Sequence, residues 1–466
     1  MKIKFSYFLL GLARILLSFL TPLAADEAYY LLWAKHVALS YVDHPGMIAW
    51  INSGFIFLFH DPLLAIRLAS LTLYGGTLWI VYRTALLITG SKKRAHLTTL
   101  LFGLVPYNFF IGLTMQVEQP LLLFCACTLY FFIRFIQEEK KRLLYTIAFF
   151  SGLGCLSKYT MVLVVIGMLG YLFWNKKTRK HLYSFHFMGA LSVFIVTLLP
   201  LLIWNYDHHW VSFLFHTHRI GNTHYFEFFF DFIGVQILYG SPVLLWALYK
   251  TRKRLWSTES FALLCIGMIF FFTFLILSIT TKVWGHWTAA MYIPLCLFVG
   301  TTLQESQELE KILKYGVVFN AIVTGVLLVS GPSILIRHSE YQKNSLLAAQ
   351  LSCLKSTVPL TVFCDFHGTV GQVSYYANLE AHFPINELKT EGLWGAKEFE
   401  LWNQSEVHQG EDIVFYKTIQ KENTKKLDAL FETVILQPNL KLTVMEDQLS
   451  HGNWYLCRHA KRTVIL

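Results

Sequence analysis

Apolar runs of about 17–25 residues recur from the N-terminus of this chain to about residue 336, each long enough to cross the hydrocarbon core of a bilayer. Lipid offers backbone amides no hydrogen-bond partner, so runs of this kind must fold as helices. The pattern predicts about eleven spans, near residues 5–24, 63–88, 95–113, 119–136, 143–157, 160–174, 184–204, 228–249, 259–278, 285–302 and 314–335. Composition leaves no other class: the 466 residues are 55% hydrophobic and only 15% charged, too little charge to cover a soluble protein of this size. Segment 1–20 has the basic start and apolar run of a signal peptide. Further apolar segments follow it, however, and Thr21-Pro22-Leu23-Ala24-Ala25 is a weak cleavage site, so it reads as a retained first span.

The net charge of +10 is carried largely in short loops between apolar runs: Lys92-Lys93-Arg94, Lys140-Lys141-Arg142, 176–180 and 250–254. That is the positive-inside distribution rather than a nucleic-acid patch. It places the N-terminus in the cytoplasm. Segments 25–62, 114–118, 157–159, 205–227 and 279–284, and everything after residue 336, then face outward. Beyond 336 charge rises and apolar runs shorten, which predicts a small extracytoplasmic α/β domain over 337–466. Its expected strands are 360–364, 373–376, 413–417 and 442–445, and its expected helices 343–355 and 421–433. Outside the membrane, one pair among Cys353, Cys364 and Cys457 is a candidate disulfide.

The outward segments hold the chemistry. In 25–62, residues 26–40 read as an amphipathic helix with Tyr29, Leu32, Trp33, His36 and Val37 on one face, suited to the membrane interface. Asp43-His44-Pro45-Gly46 breaks it, and the apolar stretch 47–59 is expected to lie against the membrane or re-enter it. Asp26-Glu27 sits at the outer end of the first span, and solvated decoration is its bland reading. With Asp43-His44 close by, the sharper one is a general base or a divalent metal site. Glu118 suits a helix N-terminus, next to Pro120, and also joins the external acids. Lys158 is nearly alone between two apolar runs; snorkelling to headgroups is the plain account and a cation for a phosphate-bearing lipid the functional one. Arg219 and Lys282 are external basic residues suited to the same task. Histidines gather outside (His208, His209, His216, His218, His224 and His286), and Trp284-Gly285-His286-Trp287 suits the lining of a substrate groove. No phosphate-binding or dinucleotide glycine motif is present, so no nucleotide cofactor is expected.

In order along the chain, Asp26-Glu27-Ala28-Tyr29-Tyr30, Tyr41-Val42-Asp43-His44-Pro45, Glu118-Gln119-Pro120-Leu121, Leu156-Ser157-Lys158-Tyr159-Thr160, Trp204 to Trp210 and Trp284-Gly285-His286-Trp287 resemble the bacterial branch of glycosyltransferase family 39. That branch is related to the protein O-mannosyltransferases and to the aminoarabinose transferase of lipid A. The resemblance covers about 1–336. It implies a GT-C fold and inverting transfer of a sugar from a polyprenyl-phosphate carrier to an envelope lipid, glycan or protein at the periplasmic face of a bacterial inner membrane. It implies Asp26 as base, with Glu118 beside it. Lys158, with Arg219, would bind the donor phosphate, and Asp43-His44 would lie near that phosphate and a divalent metal. Glu27, Tyr29 and His286 would line the substrate groove. The chain departs from its relatives in having Glu118 where they usually have Asp, Gly46 for a second proline and His286 for Asn. A transporter or flippase of lipid-linked substrates is the competing class, disfavoured because the charged residues gather at one face rather than at mid-membrane. A catalytically dead scaffold is another competitor, and the retention of Asp26 speaks against it.

Overall fold

The computed structural model describes residues 3–21, 23–218, 226–240, 242–252, 256–303, 306–330, 361–364, 367–376, 380–382, 398–399, 402, 406–418, 425–437 and 452–465. The helices are α1 (Ile3–Leu20), α2 (Ala25–Lys35), α3 (Met47–Phe59), α4 (Pro62–Thr89), α5 (Lys92–Leu104), α6 (Pro106–Ile111), α7 (Glu118–Glu138), α8 (Leu143–Ser157), α9 (Met161–Trp174), α10 (Lys176–Arg179), α11 (Phe185–Asp207), α12 (Val211–His218), α13 (Phe226–Gly240), α14 (Pro242–Thr251), α15 (Thr258–Leu277), α16 (Tyr292–Thr302) and α17 (Ser306–Ser330). The C-terminal region adds α18 (His367–Tyr376), α19 (Lys425–Leu430) and strands β1 (Thr361–Cys364), β2 (Ala381–His382), β3 (Glu406–Val407), β4 (Ile413–Thr418), β5 (Phe431–Leu436), β6 (Gly452–Ala460) and β7 (Val464–Ile465).

Among the described residues α4, α7, α11 and α15 are each long and apolar enough to cross a membrane. Two bent pairs, Leu10–Leu20 with Ala25–Lys35 (77°) and Glu227–Leu238 with Pro242–Thr251 (84°), pass the same test together, and α3, α8 and α9 are shorter apolar helices. Several expected spans are thus broken. Proline removes an amide donor and disfavours a helical residue before it, so the expected 95–113 divides at Pro106 and 228–249 at Pro242. The expected 285–302 opens as a 3-10 turn, Gly285–Met291, before α16. Where caps are strong the ends are sharp. At α4 the Asp61 side chain accepts from the Leu64 amide, Pro62 opens the helix, and Gly90 at φ 63° closes it.

Every residue of α16 is buried, in a cluster shared with α5, α7, α9 and α15 that forms the core of the helical region. Its basic loops meet at one end. Glu139, after α7, is 2.8 Å from Lys177 and 3.2 Å from Lys180, and Lys93 is 2.7 Å from Glu310 of α17.

The C-terminal region is a five-stranded sheet of order β2-β1-β4-β6-β5, with β2, β1 and β4 parallel and β6 antiparallel to β4 and β5. β3 and β7 form a second, antiparallel pair. The expected strands 360–364 and 413–417 correspond to β1 and β4. The expected strand 373–376 is instead the end of α18, and the expected helix 421–433 is α19 followed at Phe431 by β5. The expected strand 442–445, helix 343–355, Cys353 and Arg219 lie outside the described residues. Cys364 and Cys457 do not bridge. They sit opposite Tyr416 and Ile413 on the two strands that flank β4, about 10 Å apart across the sheet and about 10 Å along it, so about 14 Å apart and beyond disulfide reach.

Helix α2 differs most from its sequence reading. Eight of its residues, Ala25, Glu27, Ala28, Tyr29, Tyr30, Leu31, Leu32 and Trp33, are buried, and it stops at Lys35, leaving Val37 exposed. Its apolar side packs with Ile48 and Ile66 of the helical region and with Val370 and Val373 of α18. The helix is therefore a keystone between the two regions rather than one laid in the membrane interface. Burying Trp33, stacked on Tyr41 at 4.1 Å, is worth about 2–3 kcal/mol.

Candidate active site

Two neighbouring acids on α2 part company because successive helical residues point about 100° apart. The Glu27 side chain, fully buried, turns inward. It forms an ion pair with Arg67 of α4 and accepts from the amides of Ala24 (3.1 Å) and Met115 (2.7 Å). Arg67 also donates to the Thr21 carbonyl at 3.0 Å. Glu27 therefore holds the start of α2 in place and does not line the groove expected of it. Asp26 keeps 48% of its side-chain surface exposed, with its Oδ1 3.9 Å from His367 Nε2. Tyr29, another residue expected in the groove, is covered by rings of Trp33 (5.1 Å), His367 (4.7 Å) and Phe399 (6.0 Å). Its neighbour Tyr30 is also buried, and burial first, then the charges of Asp26, Asp43 and Glu118, push its hydroxyl well above the usual range.

The loop 40–46 is shaped by Tyr41, whose hydroxyl donates towards the carbonyls of Trp33 and His36 (3.0 Å each) and accepts from the Ala38 amide (3.0 Å). Gly46 fits where little else would, since a Cβ there would stand 2.8 Å from the Leu39 carbonyl oxygen and 2.9 Å from the Trp50 ring. The carboxylate of Asp43 and the rings of His44 and His216 offer three donor atoms within 4.8 Å of one another. His216 Nε2 donates to the Asp43 carbonyl at 2.9 Å, which fixes the ring beside the loop. Nδ1 of His44 is buried without a hydrogen-bond partner, and burial pushes its ring down to about 4, so it is neutral at pH 7, the ligating form. One carboxylate and two imidazoles fit a divalent metal such as zinc with a position left open.

Glu118 opens α7 and Lys158 ends α8. Both are buried, and they form an ion pair. His286, in the 3-10 turn before α16, feels the charges of Lys158, Glu118, Asp26 and Asp43, and its ring lies 6.5 Å from that of Trp284. The structure thus gathers Asp26, Asp43, His44, Glu118, Lys158 and His286 in one place. Lys282 stands apart, exposed over the Trp284 ring at 4.5 Å.

Residues 43–204, which include Asp43, His44, Glu118 and Lys158 but begin after Asp26, match the family described as dolichyl-phosphate-mannose-protein mannosyltransferase. The chain is 22% identical over 286 residues to the lipid A galacturonosyltransferase RgtD of Rhizobium johnstonii, a match that spans 59% of each protein. Its fold is that of ArnT from Cupriavidus metallidurans, both bound to undecaprenyl phosphate (TM-score 0.63, 11% identity) and in the apo state (TM-score 0.61, 13% identity), each over 97% of both chains. In sequence over 43–204 and in fold over its length, the chain is similar to these glycosyltransferases. It is a multi-pass helical membrane protein with its ionisable cluster at one place in the fold.

Sequence reasoning did not single out three residues of this site. His216 was one of several loop histidines, and nothing in its spacing ties it to Asp43, 173 positions earlier. His367 and Glu398 come from the C-terminal region, which carries no recognisable motif. Glu398 is buried with its carboxyl accepting from the Val42 amide, beside Asp43, and burial pushes it up to about 8. Only the company of Asp26 and Tyr29 marks His367, and only that of Val42 marks Glu398.

Proposed function

We propose that this protein transfers a sugar from a polyprenyl-phosphate-linked donor to a hydroxyl of an envelope lipid, glycan or protein, at the periplasmic face of a bacterial inner membrane and with inversion. Convergence of one half-exposed carboxylate, Asp26, with a buried Lys158–Glu118 pair and a metal-type triad carries this reading. Asp26 takes the acceptor's hydroxyl proton as the acceptor oxygen bonds to the anomeric carbon. The bond from that carbon to the phosphate oxygen breaks, and its electron pair stays with the polyprenyl phosphate. Leaving is easier where the phosphate charge is met. Lys158 supplies a cation, and Glu118 fixes the ammonium's position while neutralising part of its charge. Arg219 belongs to the same proposal as a further phosphate contact. Asp43, His44 and His216 would hold a divalent metal, which when bound supplies positive charge near the donor phosphate. His286 borders the groove.

The relatives support donor and acceptor class: one is named for lipid A and one was solved with undecaprenyl phosphate. The test compares envelope lipids and glycans by mass spectrometry in cells carrying the wild-type gene, no gene, or Asp26→Asn. Loss of one discrete sugar increment in both the deletion and Asp26→Asn, at unchanged membrane abundance, is the expected result. Persistence of that increment with Asp26→Asn refutes the assignment of the base.

A further inference from the structure

The C-terminal region is joined to the acid-bearing helix by direct contact. Helix α18 lies along α2. Gly371 meets its backbone so closely that a Cβ there would stand 2.5 Å from the Ala28 carbonyl carbon and 2.6 Å from its oxygen. Gln372 Nε2 donates to the Leu23 carbonyl, and the Leu23 amide donates to the Tyr376 hydroxyl, each at 3.3 Å. These contacts set the register of α18 on α2. One turn before Gly371, at the first residue of α18, they bring His367 to Asp26. The imidazole is only 12% exposed and is packed against the Tyr29 ring, so its direction is fixed, while the carboxylate it faces is half open.

We propose that His367 is a positioning residue for Asp26, so that the base is supplied by the membrane region and its orientation by the C-terminal domain. The inference rests on the reading of Asp26 as base. The 3.9 Å between Nε2 and Oδ1 is too long for a direct hydrogen bond. It also leaves room for one oxygen within about 2.8 Å of both atoms, the normal hydrogen-bond distance, with an angle at that oxygen near a right angle. An acceptor hydroxyl fits that position. Its proton points at Asp26 while His367 Nε2–H meets a lone pair, which defines where the nucleophile waits. Other groups whose charge bears on this point are Tyr29 and Tyr30 of α2 and His286 of the 3-10 turn. None of these is a second mobile base: both tyrosines are buried, and His286 lies among Lys158 and Glu118.

The test uses full-length protein in lipid nanodiscs, with polyprenyl-phosphate sugar and an envelope lipid extract as acceptor, and four variants. Asp26→Asn reports on the base itself. His367→Ala should lower kcat roughly tenfold, the scale of one misplaced contact at about 1.4 kcal/mol, while the KM for donor stays unchanged. His367→Gln, which keeps an N–H donor, should recover part of that loss, as should added imidazole with His367→Ala. Gln372→Ala removes one 3.3 Å docking bond of the same helix but leaves the Gly371–Ala28 contact, and should lower kcat less than His367→Ala does. The proposal is overturned if His367→Ala and His367→Gln keep wild-type kcat, or if Gln372→Ala loses as much as His367→Ala. It is also overturned if neither glutamine nor imidazole restores activity. Where His367→Ala does not accumulate, His367→Gln carries the test: an intermediate kcat with unchanged donor KM supports the role, and a wild-type kcat refutes it. An active Asp26→Asn refutes the reading of the base, whereas an inactive Asp26→Asn beside a fully active His367→Ala refutes only this inference.

Discussion

Removing the cation from the Glu27–Arg67 pair gives the most direct measure of how the base is held. Both side chains are at most 1% exposed, and besides its partner Glu27 has only the Ala24 and Met115 amides. Arg67→Met strands a buried carboxylate, which costs about 3–5 kcal/mol. In the double variant Glu27→Gln/Arg67→Met the charge is gone and an amide oxygen still accepts from the backbone. What remains lost is the arginine's donation to the Thr21 and Leu113 carbonyls, about 1 kcal/mol each. The double variant should therefore lie only about 2 kcal/mol below wild type. Hydrogen exchange of the α2 amides and of Met115, in nanodiscs, reads this directly, since each 1.4 kcal/mol is tenfold in the open population. Arg67→Met should speed exchange by about two to three and a half decades, and the double variant by only about one and a half. Transfer activity should follow the same order, because Asp26 shares the helical turn that Glu27 anchors. Wild-type exchange in Arg67→Met, or a double variant no better protected than the single, would refute the argument.

Glu398 gives a pH signature of the contact between the two regions. Its folded value, about 8, lies above that of an ordinary carboxyl, so its contribution is fully present below about pH 4.3 and is lost as pH rises towards 8. Docking should weaken by up to about 1.4 kcal/mol per pH unit within that window, and Glu398→Gln should remove the slope. Proteolytic susceptibility of the C-terminal domain at several pH values, compared between the two proteins, checks it; parallel curves would count against the buried carboxyl. For the triad, purified protein should bind about one zinc or manganese per chain by elemental analysis, and His216→Ala should lower that occupancy at least tenfold. Equal occupancy in His216→Ala would remove that residue from the set.

Much of the membrane architecture is legible because its causes are local. The cap at Asp61-Pro62 and the stop at Gly90 bound α4 within a residue or two of the sequence reading, and the acid and proline near the start of α7 do the same there. The apolar side of α2 was equally visible, but apolarity does not say what will cover it. Lipid and the inner face of a folded domain select the same residues, and here the domain does the covering. Residues 373–376 carry the valine and tyrosines of a strand, yet they finish a helix because Gly371 lets α18 lie against α2, a tertiary contact that outweighs propensity. The site was legible in part for the same reason. Asp26, Asp43, Glu118 and Lys158 stand out as charges beside apolar runs. His216, His367 and Glu398 carry no local signal, and only chain folding brings His216 and Glu398 to the loop and His367 to Asp26. The inward turn of Glu27 depends on Arg67, a residue inside a predicted span to which the sequence reading gave no role.

The backbone contact at Gly371 bears on how such a protein can be rebuilt. A domain attached through side chains can be exchanged for a related one, with mismatches absorbed by rotamers at the seam. This one rests main chain against main chain, where a single added methyl group meets the Ala28 carbonyl. A chimera that grafts another C-terminal domain onto this membrane region therefore needs a glycine at the matching turn of its first sheet-following helix. Without it the graft rides up on α2, and the catalytic acid is the first thing to lose its frame.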